Sequence, residues 1–169
     1  MARGQLVEPP EVWNQYKGPL FCTWKKHGDL RGCIGTFDQD SKFGDTLKQY
    51  SLLAAVRDSR FPPIKIGELP KLRCEISVLS NFTCIDDPLN WEIGRHGIEI
   101  AFKEGKKVYR STFLPHVAEE FGWNQQTTLE NMVKKAGYTG SFSSINFTEI
   151  KTYESIKFGM DWDETPFAK

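Results

Sequence analysis

Alternating apolar and polar positions predict a strand over residues 72–78. Apolar residues stand at every second position from Leu72, and the positions between them are Arg73, Glu75 and Ser77. A period of two places successive side chains on opposite faces of a strand. The pattern therefore predicts one apolar face against a core and a second face in solvent.

Residues 20–37 contain two strand-like segments joined by a His-Gly dipeptide, which is a signal for a tight hairpin turn. A register that is symmetric about this turn pairs Trp24 with Arg31 and Cys22 with Cys33. A further hairpin and a last strand follow later in the chain. Their predicted segments are residues 98–104 with 107–113, and residues 147–158.

Helical spacing of apolar residues alternates with these strands in an irregular order. The predicted helices are residues 45–57, 115–121 and a third that opens with the capping box Thr127-x-x-Glu130. Antiparallel pairs dominate the predicted strands. This order favours an α+β fold, with a mostly antiparallel sheet and packed helices, over a doubly wound parallel sheet.

Composition narrows the class of protein without naming an activity. The chain of 169 residues is about one domain long, and its 22 basic and 22 acidic residues leave no net charge to attract nucleic acid or an anionic membrane. We find no secretory signal, membrane span, Gly-rich phosphate loop or metal-ligand spacing. We therefore expect a cytoplasmic or nuclear protein with reduced cysteines, no metal and no cofactor.

Leu30-Arg31-Gly32-Cys33-Ile34-Gly35 is the most unusual local sequence. Two glycines within a strand indicate a bulge or a close approach of backbone. Arg31 is a candidate for binding an anion, with the Cys33 thiol beside it. In the alternative interpretation Cys33 packs as a small apolar residue and the glycines only shape the sheet.

Asp58-Ser59-Arg60-Phe61 directly follows a predicted helix and precedes two prolines. A rigid Pro-Pro segment is suited to holding the planar Arg60 cation at the surface. Alternatively, Asp58 and Arg60 only stabilise the helix end.

His96 precedes Gly97 at the start of a predicted strand and is a candidate acid or base. A catalytic arrangement would use Cys33 as nucleophile, His96 as base and Asp58 to orient the imidazole. Sequence does not show whether these three residues converge, and a structural turn histidine is the alternative.

Four segments together resemble the AMMECR domain family: LRGCIGTF, DSRFPP, HGI and the frame LP-x-VA-x-E-x-GW. The resemblance implies an α+β domain with a larger and a smaller part, and no established reaction or cofactor. Prokaryotic members often occur beside Memo-like proteins, which suggests a Memo-like partner. On this basis we predict a lead-in over residues 1–18, an AMMECR-type domain over 19–158 and a tail over 159–169.

The resulting hypothesis is an intracellular binding or regulatory module that recognises an acidic peptide or a small anionic ligand. The predicted ligand-binding residues are Arg31, Gly32, Cys33, Gly35, Ser59, Arg60 and Phe61. The alternatives are a cysteine-dependent enzyme that uses Cys33 and His96, and a scaffold whose motifs are purely structural. An apolar rim that includes Trp13, Tyr16, Phe158 and Trp162 is a candidate for association with another molecule.

Overall fold

The computed structural model describes residues 8–166 and confirms the α+β class. Within this range the chain forms six strands and three α-helices. The strands are β1 (Leu20–Lys26), β2 (Asp29–Thr36), β3 (Leu72–Cys84), β4 (Gly97–Glu104), β5 (Lys107–Phe113) and β6 (Phe147–Asp161). The helices are α1 (Phe43–Val56), α2 (Pro115–Glu120) and α3 (Gln125–Lys135).

The strands follow the order β2-β1-β3-β6-β4-β5, and their assigned pairs are antiparallel. The chain divides into two compact units. The first and larger unit contains the residues up to Leu79 and those from Ile156 onward, and the second is Ser80–Ser155. The strands β3 and β6 each contribute residues to both units.

The first hairpin turns at His27 and Gly28, as predicted. Both residues have positive φ angles, 53° and 90°, which a two-residue turn of the I′ type requires. Lys26 pairs with Asp29 across the turn, in the symmetric register.

A β-bulge then shifts this register, so the two predicted pairs are wrong. Arg31 is the extra residue of β2 and has no partner in β1. A bulge adds one residue to one strand and redirects its side chain. The observed pairs are Trp24 with Gly32, Thr23 with Cys33 and Cys22 with Ile34.

The faces of β3 also differ from the prediction. Glu75 and Ser77, predicted to face solvent, are buried, whereas Cys74 and Ile76 remain partly exposed. Glu75 forms ion pairs with Lys25 at 3.1 Å and with Arg73 at 3.4 Å. Long basic side chains therefore cover the carboxylate and exclude solvent from it.

Helix α1 packs on β1 and β2 in the first unit. The Trp24 indole N–H donates to the Ser51 carbonyl at 3.0 Å. Gly32 lies against α1 so closely that a Cβ atom there would collide with the Ala54 carbonyl oxygen. A Cβ at Gly35 would collide with the Leu20 carbonyl oxygen. The two strand glycines thus allow close backbone approach, as their positions predicted.

The second unit contains a large apolar core. Phe102 stacks on Tyr109 at 5.0 Å between ring centroids and meets the edge of Tyr138 at 5.5 Å. Stacked and edge-on rings are the favoured aromatic arrangements. The buried cluster comprises Trp91, Ile98, Ile100, Phe102, Ala118, Leu129, Met132, Val133 and Ile150.

Helix α3 begins earlier than its predicted capping box. Asn124 is the N-cap, and its side-chain oxygen accepts the Thr127 backbone N–H at 2.8 Å. Asparagine is preferred over threonine at the N-cap of a helix. The Thr127 cap was therefore a wrong prediction, although the helix itself is confirmed.

The predicted end segments contain short elements. The lead-in includes a 3₁₀ helix at Glu11–Gln15, while its residues 1–7 lie outside the described range. Strand β6 continues into the predicted tail, and a 3₁₀ turn follows at Trp162–Glu164. Residues 167–169 of that tail lie outside the described range. Over residues 8–166 no helix is long and apolar enough to cross a membrane.

Candidate functional site

Asp58 connects two sequence motifs of the first unit, the first at residues 30–35 and the second at residues 58–63, to which Asp58 itself belongs. It follows α1 in a turn in which the Phe61 N–H donates to the Asp58 carbonyl at 3.1 Å. Its side chain is buried, and Oδ2 accepts the Cys33 backbone N–H at 2.8 Å. Oδ1 accepts the backbone N–H of Arg60 at 3.1 Å. A carboxylate from one motif therefore fixes the backbone of the other.

Arg60 completes this arrangement. Its Nε and Nη2 donate to the two oxygens of Asp58 at 2.9 and 2.6 Å, and Nη2 also donates to the Cys33 carbonyl at 3.2 Å. Both polar groups of the Cys33 backbone are thus bound by one ion pair. The guanidinium lies 5.5 Å from the centre of the Phe61 ring, within the range of a cation–π contact.

The ion pair leaves part of Arg60 open to solvent. The side chain is 55% exposed, and Nη1 has no hydrogen-bond partner among the described residues. The Arg60 side chain holds the pKa of Asp58 far below its usual range, and backbone N–H groups of Cys33 and Arg60 add to this against the effect of burial. Asp58 in turn raises the pKa of Arg60, so the pair stays ionised.

The Cys33 thiol is half-buried beside this ion pair. The Thr23 hydroxyl on β1 donates to Cys33 Sγ at 3.2 Å. Thr23 was not identified from the sequence, because only the bulged register places it opposite Cys33.

Arg31 uses most of its donors within the protein. Its Nε and Nη2 donate to Glu68 at 3.2 and 3.0 Å, and Nη1 donates to the Pro62 carbonyl at 2.7 Å. The side chain is only 13% exposed. The bulge thus directs the Arg31 side chain towards the end of the DSRFPP motif, where its hydrogen bond fixes the position of the Pro62 carbonyl.

Glu68 was not identified from the sequence either. Besides Arg31, it accepts the Lys26 ammonium at 2.8 Å and the Lys65 backbone N–H at 3.0 Å. Arg31, then Lys26, then the Lys65 N–H lower its pKa well below the usual value for a glutamate. No motif includes Glu68, and only folding brings it to Arg31 from 37 residues away.

The predicted ligand-binding residues therefore have different environments. Cys33, Asp58 and Arg60 are directly connected, and Ser59 is exposed between the last two. Phe61 is half-buried under the Arg60 guanidinium. Gly32 and Gly35 pack against backbone, and the Arg31 guanidinium is bound to Glu68 and Pro62.

His96 belongs to the second unit. Its Nδ1 accepts the Glu92 backbone N–H at 3.0 Å, and its own backbone N–H donates to the Glu92 carbonyl at 2.9 Å. Its Nε2 lies 4.0 Å from Glu154. These contacts are those of a turn histidine. Asp58, proposed as its orienting carboxylate, makes its hydrogen bonds to Cys33 and Arg60.

A separate apolar cavity of about 520 Å³ opens in the first unit. Trp13, Phe158 and Trp162, three of the four aromatic residues of the predicted rim, line it, and Tyr16 does not. No group of three or more His, Cys, Asp or Glu side chains in residues 8–166 is placed to hold a metal ion.

Comparison with known proteins identifies the family. The AMMECR1 family model matches residues 2–158. An uncharacterised protein of Kluyveromyces lactis is 43% identical over 169 aligned residues, which cover 88% of this chain and 74% of that protein. An uncharacterised protein of Arabidopsis thaliana is 39% identical over 168 residues, covering 92% of this chain and 77% of that protein.

A solved structure shows the same fold. The crystal structure of an uncharacterised protein from Pyrococcus horikoshii has a TM-score of 0.79 and 27% sequence identity. The match covers 97% of this chain and 85% of that protein. These relatives carry no described activity, so they identify ancestry and fold. The match over residues 2–158 and the relatives above 30% identity show that this chain belongs to the AMMECR1 family.

Proposed function

We propose that the first unit is a binding module that recognises a carboxylate or similar anionic group through Arg60. The observation that carries this proposal is the state of that side chain. Arg60 is fixed by two hydrogen bonds to Asp58, yet more than half of it is exposed and Nη1 offers two N–H donors. A planar guanidinium held in one orientation loses little conformational entropy when it binds an anion.

The surrounding charges support an anionic ligand. Asp58 balances the charge of Arg60, and Glu68 is paired with both Lys26 and Arg31, so this second group carries one positive charge in excess. The excess is local, because the whole chain is neutral. In this proposal Arg31 is a positioning residue: it holds the Pro62 carbonyl and thereby the segment that presents Arg60.

Asp58 is also a positioning residue in this proposal. It sets the direction of the Arg60 guanidinium while its own oxygens are occupied by donors from Cys33 and Arg60. Neighbouring Ser59 is exposed and adds a hydroxyl beside the cation. A short acidic peptide or a small polycarboxylate has the chemistry that such a surface binds. A Memo-like protein that carries an acidic segment, and a cytoplasmic or nuclear location, remain predictions.

Calorimetric titration at low salt with hexaglutamate and with citrate tests this function. We expect Arg60→Ala to weaken binding by about tenfold or more, since charge-assisted hydrogen bonds contribute about 1.5–3 kcal/mol. The matched control is Arg110→Ala, because Arg110 is similarly exposed and ion-paired but lies in the second unit. Equal affinity of wild type and Arg60→Ala for both probes would disprove recognition through Arg60.

The Thr23 hydrogen bond to Cys33 Sγ supports a second candidate, a cysteine-dependent enzyme. It predicts that iodoacetamide labels Cys33 at a lower pH than it labels an ordinary thiol. Thr23→Val removes the hydroxyl with little change of shape and should reduce this reactivity. Labelling of Cys33 only at the alkaline pH of a free thiol, about 8.5, would remove the enzyme candidate.

A further inference from the structure

The apolar cavity of the first unit lies between β3 and the end of β6. Trp24 of β1, Trp13 and Trp162 form the rest of its aromatic wall. Its volume of about 520 Å³ is within the range of small-molecule sites, which is about 300–1,000 Å³. Its lining is almost entirely aromatic and aliphatic. The lining residues are Trp13, Trp24, Leu72, Cys74, Ile76, Phe158, Gly159, Met160, Trp162 and Thr165.

No charged side chain is part of this lining. Two of its polar groups are already satisfied within the protein: the Trp24 N–H donates to the Ser51 carbonyl, and the Thr165 hydroxyl donates to the Trp162 carbonyl at 2.6 Å. The Arg73 guanidinium is held by Asp161 at 2.6 Å. A charged group that entered the cavity would therefore lose part of its hydration without meeting a charged side chain in the lining.

The cavity also leaves large apolar side chains in contact with water. Trp13 is 39% exposed, Phe158 is 63% exposed and Met160 is half-exposed. Removing such surface from water is favourable at roughly 25 cal/mol per Å². Concave apolar surface of this size, rich in aromatic side chains, has the character of a ligand site.

We propose that this cavity binds an uncharged, apolar small molecule, aromatic in part, at a site distinct from Arg60. The ligand inserts between the indole rings and the partly exposed residues Cys74 and Ile76 of β3. The volume of the cavity limits the size of the ligand, and the absence of charged side chains from the lining favours a ligand without charge. None of its lining residues takes part in the hydrogen bonds around Asp58, so the two sites can be tested independently.

The Cys74 thiol in the wall provides a direct reporter of occupancy. Its Sγ lies 3.8 Å from Cys22 Sγ, and that contact lowers the pKa of Cys74 and raises that of the fully buried Cys22. Cys84 is exposed in the second unit and serves as an internal reference. In a maleimide reaction the Cys74 sulfur adds to the C=C bond and the thiol proton passes to the adjacent carbon.

Nile red, an uncharged dye, tests binding by fluorescence on the full chain. We expect saturable binding that Phe158→Ser and Ile76→Phe each weaken by about fivefold or more, the first by removing a wall and the second by filling the space. The control Phe121→Ser alters an equally exposed phenylalanine, 64%, in the second unit and should leave binding unchanged. Thermal unfolding of each variant verifies folding.

Two further measurements define the ligand class and position. We expect 2-naphthol to displace Nile red at a concentration about tenfold lower than 2-naphthalenesulfonate, because the charged group loses hydration. Bound 2-naphthol should slow the labelling of Cys74 by N-phenylmaleimide while leaving Cys84 unchanged, as read by peptide mass. Both results would support the proposal.

Several outcomes would overturn it. These are the absence of saturable Nile red binding, equal binding by Phe158→Ser and wild type, stronger displacement by the sulfonate, or unprotected Cys74. A concentration-dependent dimer in sedimentation that Phe158→Ser abolishes would assign the cavity to a second copy of the chain and also exclude the small-molecule site. Because Arg60→Ala leaves this lining intact, failure here is distinguishable from failure of the anion-binding function.

Discussion

The two units of this chain use their apolar residues differently. In the second unit Phe102, Leu129 and Met132 are at most 1% exposed and belong to one continuous cluster. In the first unit Trp13, Phe158 and their neighbours instead surround an open cavity. The second unit therefore concentrates its buried apolar residues in one cluster, whereas the first combines buried residues such as Leu20 and Ala54 with an open apolar surface.

Charged residues strengthen this contrast. The first unit places Asp58 and Glu68 inside networks with Arg60, Arg31 and Lys26. In the second unit the pair of Arg110 and Glu149, at 3.4 Å, lies on the surface. Exposed pairs contribute little to folding, while buried carboxylates depend on their partners. Loss of the partner is therefore expected to cost more at the buried Asp58 than at this exposed pair.

The largest expected effect is a truncation in the core of the second unit. Phe102→Ala removes a ring that three aromatic neighbours contact, and we expect the free energy of unfolding to fall by about 3–5 kcal/mol. Phe158→Ala in the first unit should change it by less than about 1 kcal/mol, because that ring is mostly exposed. Urea denaturation measures both, and equal losses would contradict the comparison.

A smaller effect is expected where β2 meets α1 in the first unit. Gly32→Ala adds a Cβ against the Ala54 carbonyl, and we expect a loss of about 1–3 kcal/mol from this overpacking. Gly67→Ala is the matched control, since a Cβ there meets nothing within 4 Å. If urea midpoints show that both variants are as stable as wild type, the close approach at Gly32 is not required.

A third effect depends on pH. Because the folded pKa values of Asp58 and Glu68 are depressed, their contribution to stability is fully present above the unfolded values near 4. It is lost as pH falls from about 5 towards the folded pKa values. We expect Asp58→Asn to be less stable than wild type at pH 7, with a gap in urea midpoint that narrows by pH 3. A constant gap would contradict the role of the charge.

The smallest effect should come from the surface pair. Arg110→Met is expected to change the free energy of unfolding by less than about 0.5 kcal/mol, as exposed ion pairs usually do. Arg31→Met should lower the thermal midpoint more, because it removes the two Arg31 hydrogen bonds to Glu68 and the donor to the Pro62 carbonyl. Differential scanning calorimetry compares the two, and a larger loss for Arg110→Met would reverse the ranking.

Local signals in the sequence predicted the elements well. The His27-Gly28 turn, the hairpin of β4 and β5 and the helix after Pro115 all formed, because turn chemistry and periodicity depend on residues only a few positions apart. The family motifs likewise identified the chain by ancestry. The cap of α3 was misplaced because the Thr127-x-x-Glu130 spacing was taken as the start of the helix, although asparagine is the more strongly preferred cap.

The candidate site was only partly predictable. Arg60 and Cys33 were both predicted as ligand-binding residues, but only the structure shows that Asp58 and Arg60 bind the backbone of Cys33. Glu68 and Thr23 were missed because they become partners of Arg31 and Cys33 only after folding. The direction of Arg31 depends on a bulge that a symmetric register does not contain.

The sequence by itself determined the α+β class and the family, and it supplied candidate site residues, since these depend on local order and composition. Tertiary structure alone decided which of those residues are available to a ligand. In the folded chain Arg31 is bound to Glu68, whereas the Arg60 side chain remains exposed to solvent. The apolar face of β3 lines a cavity. Exposure and ion pairing arise from contacts between distant segments, and no local pattern specifies them.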